Sequence, residues 1–388
     1  MLILLTAACS SVNEELLECA PPPNTYTRVN FVYDYNMQYV DLFDHHAGTV
    51  YLYVFDENGV MLFRETKSKV DMEDDIDFSM TFDDTQIEPG KTYNFVAMAQ
   101  GNHAGYDSSL ETPGFQLGPD VEMVAGKSTI DDFIIRLDRD NDGDYDFGIV
   151  NYKDAYGNNT QMIDTVWSTK PDEMQTVEIP TFPYVPTPIQ QPDNIVDVTI
   201  PMMRLTNAIY VNLVNSGFDD ATDPESYMML VYFPDGNGTI DFTGTTYPAQ
   251  PLYYRTLRKS VIQYNPGESN IETGYGSGTR ADTPYALQGL FGVSRLQMND
   301  QSSLQIRDPE TSDILVEIPD FSAFLANAFD QYGEAGQEFL DREYNFEVSI
   351  LPKDITDPSD PENNWVWIDL YIDVINWYVR INNIEFNP

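Results

Sequence analysis

Thr49-Val50-Tyr51-Leu52-Tyr53-Val54-Phe55-Asp56-Glu57-Asn58-Gly59-Val60-Met61-Leu62-Phe63 is the stretch that decides the fold. Its first eight residues alternate Val50, Leu52 and Val54 with Tyr51, Tyr53 and Phe55. Side chains leave a strand on opposite faces in turn, so both faces here are apolar and the strand is expected to be central in its sheet. Asn58-Gly59 is expected to supply the positive φ angles of a tight hairpin turn, and Val60–Phe63 to return as the partner strand.

The same period runs outward in both directions. Upstream, Val29, Phe31, Tyr33 and Tyr35 share one face, with Asn30, Val32 and Asp34 on the other. Downstream, Ile76, Phe78, Met80 and Phe82 alternate again, Pro89-Gly90 turns the chain into a strand Tyr93–Ala99, and Phe133–Leu137 makes a further one. A loop-rich stretch, 151–195, carries Pro180, Pro183, Pro186, Pro188 and Pro192. Strands resume at Val196–Ile200, Asn207–Val214 and Tyr227–Phe233, followed by the turn 235–238 and a glycine-bearing loop at 265–284. Phe321–Tyr332 reads as a short helix, and the chain closes with strands around Trp365–Val374 and Trp377–Phe386. Short strands at this spacing predict an all-β protein of two tandem β-sandwich domains, 29–195 and 196–388.

Composition agrees. The chain has 388 residues, enough for two domains with a core each, and its 25 Tyr and 21 Phe favour strands. Against 63 Asp and Glu stand 20 Lys and Arg, a net charge of −43. That field repels phosphate backbones and anionic headgroups, which argues against nucleic acid and against electrostatic membrane binding. Most of the carboxylates read as solubility and mutual repulsion; some are placed as ligands for divalent cations. Cys9 and Cys19 are the two cysteines, so no disulfide framework holds the fold. No apolar run is long enough to cross a bilayer, and membrane attachment is expected through an anchor.

The N-terminus supplies a candidate. Met1-Leu2-Ile3-Leu4-Leu5-Thr6-Ala7-Ala8-Cys9 is an apolar run ending in small residues and a cysteine, and it resembles a bacterial lipobox. The peptidase needs small side chains before the scissile bond, and the Cys9 thiol would carry the diacylglycerol. The run is shorter than a usual signal and lacks a basic start. Residues 10–28, with Pro21, Pro22 and Pro23, read as an extended tether.

Taken together, Arg28–Asn36, Val50–Gly59, Glu88–Ala97, Met203–Ile209, Glu338–Tyr344 and Ile375–Ile381 resemble the FimB-like anchor subunits of type V (Bacteroidales) fimbriae, over nearly the whole chain. The resemblance implies two transthyretin-like β-sandwiches in tandem. It also implies a lipid-held subunit of the outer membrane, joined to fimbrial shaft subunits by exchange of β-strands. A tip adhesin of the same fold, or a stalk subunit matured by cleavage after Arg28, are the alternatives. An acidic insertion at 138–148 departs from the pattern.

That insertion carries the one pattern with metal chemistry. Asp138, Asp140, Asp142 and Asp144, with Gly143, follow the spacing that opens a calcium loop, in which alternate carboxylates converge and the glycine permits a sharp turn. The acid expected at the twelfth position is replaced by Ile149. Weak Ca2+ binding with a role in rigidity and a plain acidic turn both fit the pattern. The three histidines, His45, His46 and His103, show no zinc or hydrolase spacing, and His45-His46 is expected in a solvated loop. No constellation for catalysis is present in the sequence, and the protein is expected not to be an enzyme.

Overall fold

The computed structural model describes residues 23–69, 77–101, 118–119, 123–136, 149–150, 165–170, 173–184, 190–215, 217–246, 251–256, 258–265, 284–330, 336–352, 366–372 and 377–381. In chain order the first half contributes β1 (Thr25–Val32), β2 (Ala47–Asp56), β3 (Met61–Ser68), β4 (Met80–Phe82), β5 (Thr92–Gly101), β6 (Gly118–Pro119), β7 (Ile134–Arg136), β8 (Ile149–Val150), β9 (Val166–Thr169), β10 (Gln175–Glu178) and β11 (Asn194–Arg204), with a one-turn helix α1 (Phe43–His46) between β1 and β2. Eight of these strands form one sheet in the order β3-β2-β5-β9-β11-β1-β4, with β10 also on β5. The sheet curls until its two end strands, β3 and β4, line the same groove. Inside the curl lies a core of Val29, Phe31, Val50, Leu52, Val54, Phe78, Phe82, Phe95, Trp167 and Ile200, among others.

β2 has β3 on one side and β5 on the other, the central position its two apolar faces require. Val50, Leu52 and Val54 face into the curl. Tyr53 and Phe55 face outward, yet each is no more than 1% exposed. They join a second cluster that runs through Phe133 and Met203 to Leu205, Ile209 and Phe233. The rings of Tyr53 and Phe133 meet edge-on at 5.0 Å. Both faces of β2 are apolar because one fills the first half's own core and the other fills the seam with the second half.

The hairpin at Asn58-Gly59 forms by different means from those expected. Gly59 alone takes a positive φ, 77°, and Asn58 does not. Asp56 closes the turn instead, its Oδ1 accepting from the Asn58 and Val60 backbone N–H groups at 2.9 Å each. The register slips between Val54 and Phe55, a bulge that absorbs the extra loop residue.

The second half contributes β12 (Thr206–Val214), β13 (Met228–Phe233), β14 (Thr239–Asp241), β15 (Leu252–Arg255), β16 (Arg258–Gln263), β17 (Tyr285–Ser294), β18 (Ser303–Arg307), β19 (Ile314–Ile318), β20 (Asn345–Pro352), β21 (Val366–Ile372) and β22 (Trp377–Ile381). The helices α2 (Phe321–Asp330) and α3 (Gly336–Arg342) lie between β19 and β20. Among the described residues, one sheet runs β16-β17-β12-β20-β21-β22 and a second runs β19-β18-β13-β15-β8. The inner faces of β12, β17 and β20 pack with β13 and β18 through Val211, Phe291, Val348, Val231 and Leu304, a sandwich arrangement. Of the two helices only α2 was expected. The protein is mostly β and sandwich-like.

Two boundaries expected from the sequence are corrected. Thr25–Arg28, placed in the tether, already belongs to β1 and pairs in parallel with Asn194–Asp197. The break at 195/196 falls inside β11, whose hydrogen bonds go to β1 and β9, so Asn194–Arg204 completes the first sheet. A proline-rich stretch signals a linker, but it cannot signal that the strand after it pairs back to the chain's first strand. The halves are also knitted by backbone: β7 pairs antiparallel with β14, and the short β8 pairs in parallel with β15. Among the described residues no helix is long and apolar enough to cross a membrane.

Candidate strand-exchange site

For a protein of this architecture the reactive groups are unpaired backbone N–H and C=O groups at sheet edges. The two terminal strands of the described chain differ in this respect. β1 alternates buried and half-buried side chains along its whole length. It is flanked by β11, over Thr25–Val32 against Asn194–Pro201, and by β4, over Thr27–Val29 against Met80–Phe82. Val29 is fully buried and Phe31 is 6% exposed, so the strand is held by packing as well as by its ladders. On the outer face, Arg28 Nε donates to Asp197 Oδ1 at 2.6 Å, and this bond holds the Asp197 carboxyl below its usual range. β22, in contrast, pairs with β21 alone among the described residues and ends the six-stranded sheet.

The seam of the curled sheet is a second opening. Between β3 and β4 lies a groove of about 320 Å3 lined by Glu65, Thr66, Lys67, Ser79, Met80, Thr81, Phe82 and Gln86. It does not stand empty across its full span, because Lys67 Nζ donates to the Ser79 carbonyl at 2.8 Å and bridges the two edges.

Several contacts hold the two halves in shape, one set between them and others within them, and the sequence gives little sign of them. Arg342, at the end of α3, lies over the rings of both Tyr35 and Tyr39, at 4.2 and 4.6 Å from their centroids. Lys170 Nζ lies 4.2 Å from the Tyr35 centroid. Cations over aromatic faces attract through the ring quadrupole, and Arg342 thereby ties the β1–α1 loop to the second half, while Lys170 holds it to the first. Burial, then the nearby carboxylates of Asp341 and Glu338, push the Tyr35 hydroxyl up to about 12. Arg295 makes a two-pronged ion pair with Asp341, Nε to Oδ1 and Nη2 to Oδ2 at 2.8 Å each, with both side chains at most 10% exposed. In the six-stranded sheet, buried Asn212 donates to Glu347 Oε1 at 2.7 Å and to Ser349 Oγ at 3.0 Å, while Gln288 donates to it at 2.9 Å. Such a polar ladder under three neighbouring strands fixes their register, since a slip leaves buried groups unpaired.

Of the residues singled out in the sequence, Cys9 lies outside the described residues, as do Asp138, Asp140, Asp142 and Asp144 and His103. His45 and His46 form the end of α1 rather than a loop. His46 is half-buried with its ring 6.5 Å from that of Trp167. Burial lowers its pKa, aided by the positive charges of Arg204, His45 and Lys69. Among the described residues no three His, Cys, Asp or Glu side chains are grouped closely enough to hold a metal ion.

Fold and edges define a class: a mostly β, sandwich-like protein whose sheets end in edge strands such as β22 and β19 among the described residues. The chain belongs to the family of Fimbrillin-A associated anchor proteins Mfa1 and Mfa2, whose family model matches residues 16–383. That family is one of fimbrial structural proteins and not of enzymes, and membership implies a cell-surface location and association with other fimbrial subunits. Among solved structures, the chain is similar to a putative polysaccharide binding protein of Bacteroides thetaiotaomicron, at 20% identity and TM-score 0.62, covering 92% of this chain and 98% of that one. It is similar to a putative adhesin of the same organism at 18% identity and TM-score 0.61, covering 94% and 99%. It is also similar to the fimbrial anchor protein Mfa2 of Porphyromonas gingivalis at 14% identity and TM-score 0.53, covering 92% and 99%. At these identities the likeness speaks for the fold. No curated protein matches the chain.

Proposed function

We propose that this protein is the outer-membrane anchor of a fimbria, held by lipid on Cys9 and joined to the last shaft subunit by β-strand exchange. The observation that carries the reading is the contrast between the terminal strands. β1 has neighbours on both sides, so its place in the sheet is filled by the chain itself. β22 has one neighbour among the described residues, so giving it to a partner breaks a single ladder at a sheet edge. The donor is therefore the closing stretch 365–386, and the acceptor is a groove on the shaft subunit. An anchor also has to keep its first strand, because cleavage after Arg28 would remove the lipid with it. Arg28 sits within β1, paired on both sides, where a protease would have to peel the strand from its sheet.

The domains of this reading are two transthyretin-like sandwiches that meet between β11 and β12, behind a tether. Ca2+ on Asp138, Asp140, Asp142 and Asp144 would stiffen the insertion; a melting temperature raised by millimolar calcium in the wild type and not in Asp140→Ala/Asp142→Ala tests it. Cys9→Ala tests the lipid, since it should abolish palmitate labelling and move the protein to the soluble fraction. The anchor role itself is tested by deleting the gene. Fimbriae should then be shed into the medium while shaft subunits still polymerise, whereas fibres that stay on the cell would move the reading to the tip.

A further inference from the structure

Sheet edges in folded proteins are usually blunted by Lys, Pro or brevity, because a bare edge is a template for another strand. β3 carries Arg64 and Lys67, and β16 carries Arg258 and Lys259. β19, Ile314-Leu315-Val316-Glu317-Ile318, ends the five-stranded sheet with no Lys, Arg or Pro. It pairs with β18 on one side and with no described strand on the other. Ile314 is 46% exposed and Leu315 51%. Glu317, the single charge in the strand, is drawn back along the sheet, with its Oε1 accepting from Gln305 on β18 at 2.9 Å. Ile306 pairs with Val316 and Arg307 with Ile314, so Leu315 is the extra residue of a bulge in β19 opposite that step.

The surroundings of this edge are acidic. The hairpin before it carries Asp308, Glu310 and Asp313, and Asp320 follows it. Backbone N–H groups of Thr311 and Glu310 hold the Asp308 carboxyl below its usual range, so it stays ionised in mild acid. Arg307, the neighbouring cation, is already committed: it donates to Gln305 Oε1 from Nε and Nη2, at 2.9 and 2.6 Å, and to the Ser312 carbonyl from Nη1 at 3.2 Å. A second copy of this chain, with a net charge of −43, is a poor occupant of such an edge.

We propose that the outer edge of β19 is a docking site for an extended segment of another protein that carries basic residues, added as a sixth strand with its apolar side chains against Ile314 and Leu315 and its Lys or Arg against the acidic rim. This surface is separate from the closing stretch and from the β3–β4 groove, and it stands whether or not the protein is the anchor. Backbone bonds would supply affinity, and the rim would supply selection and speed of association.

The probes are two capped heptapeptides, Lys-Val-Lys-Val-Lys-Val-Lys and its Glu-for-Lys counterpart, added to the full chain. Hydrogen exchange should slow at the backbone amides of 314–318 with the Lys peptide and not with the Glu peptide, and the protection should weaken as salt is raised. Burying Ile314 and Leu315 is worth enough that Ile314→Lys/Leu315→Lys should weaken Lys-peptide binding by at least about tenfold with the melting temperature unchanged. Protection on another edge, equal binding of the two peptides, or concentration-dependent protection of 314–318 without peptide would each overturn the proposal; the last would make the occupant a second copy. Exchange in the wild type decides the matter even where the double variant folds poorly.

Discussion

β1 and β22 are strands of similar kind near opposite ends of the chain, and they are held in different ways. β1 forms eight residue pairs with β11 and three with β4, and it lays Val29 and Phe31 into a core closed by the curl of its own sheet. β22 forms five residue pairs with β21 and has no other described neighbour. The partner of β1 is also remote: Arg28 and Asp197 are 169 residues apart. Taking β1 out would therefore open a ladder on each side of it and expose apolar core, while taking β22 out breaks one ladder at an edge. On the proposed strand exchange, the first strand would stay and the second would be given.

The largest expected effect breaks the fixed end. Phe31→Ala removes a buried ring that stacks 5.6 Å from Phe43. It should cost about 3–5 kcal/mol, read as a fall in denaturation midpoint with the slope unchanged. A cost under 1 kcal/mol would mean that β1 is not anchored by its core face.

A second variant asks whether the two halves act as one body. Asp341→Asn strands Arg295, a buried cation that also donates to the Gly244 carbonyl. Removing one partner of a buried pair costs roughly 3 kcal/mol or more, although exchange for Asn keeps part of the hydrogen bonding and lowers the loss. Because β7 and β8 tie into sheets of the second half, the melting transition should fall as a single step. Two separated transitions would show halves that unfold independently and would weaken the comparison.

The smallest effect comes from His46. Its folded pKa lies below the unfolded 6.5, so the unfolded chain takes up the proton first. Stability contributed by neutral His46 is then present above about pH 6.5 and falls as the pH drops from there toward the folded pKa. His46→Gln should flatten that part of the stability curve between wild type and variant. An unchanged slope would place His46 in solvent and detach α1 from Trp167.

Much of this architecture was legible because strands buried on one or both faces write their period into the sequence. Val50–Phe55 predicted a central strand, and its neighbours on both sides are β3 and β5. What the same residues could not reveal is why Tyr53 and Phe55 are apolar, since the second half that covers them comes far later in the chain. The boundary near 195 was missed for a related reason. Proline spacing is a local signal, and the parallel pairing of β11 with β1 is not. Helix α3 is short and opens on Gly336, a poor helix former, so it leaves little signal in the sequence. The contacts of Arg342 with Tyr35 and Tyr39, and of Arg295 with Asp341, join residues that no spacing rule relates. The strand-exchange edges were partly legible: the closing strands were expected from their alternating Trp, Ile and Val, but the bare edge at β19 depends on what lies beside it in the sheet.

The donor role of the closing stretch is the central claim, and it has a direct measurement. A strain carrying the chain truncated after Asn376 lacks β22 and keeps Cys9, the tether and the whole first half. The account predicts that this protein still reaches the cell surface, that β1 keeps its slow hydrogen exchange, and that assembled fimbriae are found in the medium. Fimbriae retained on cells that display the truncated protein would contradict it.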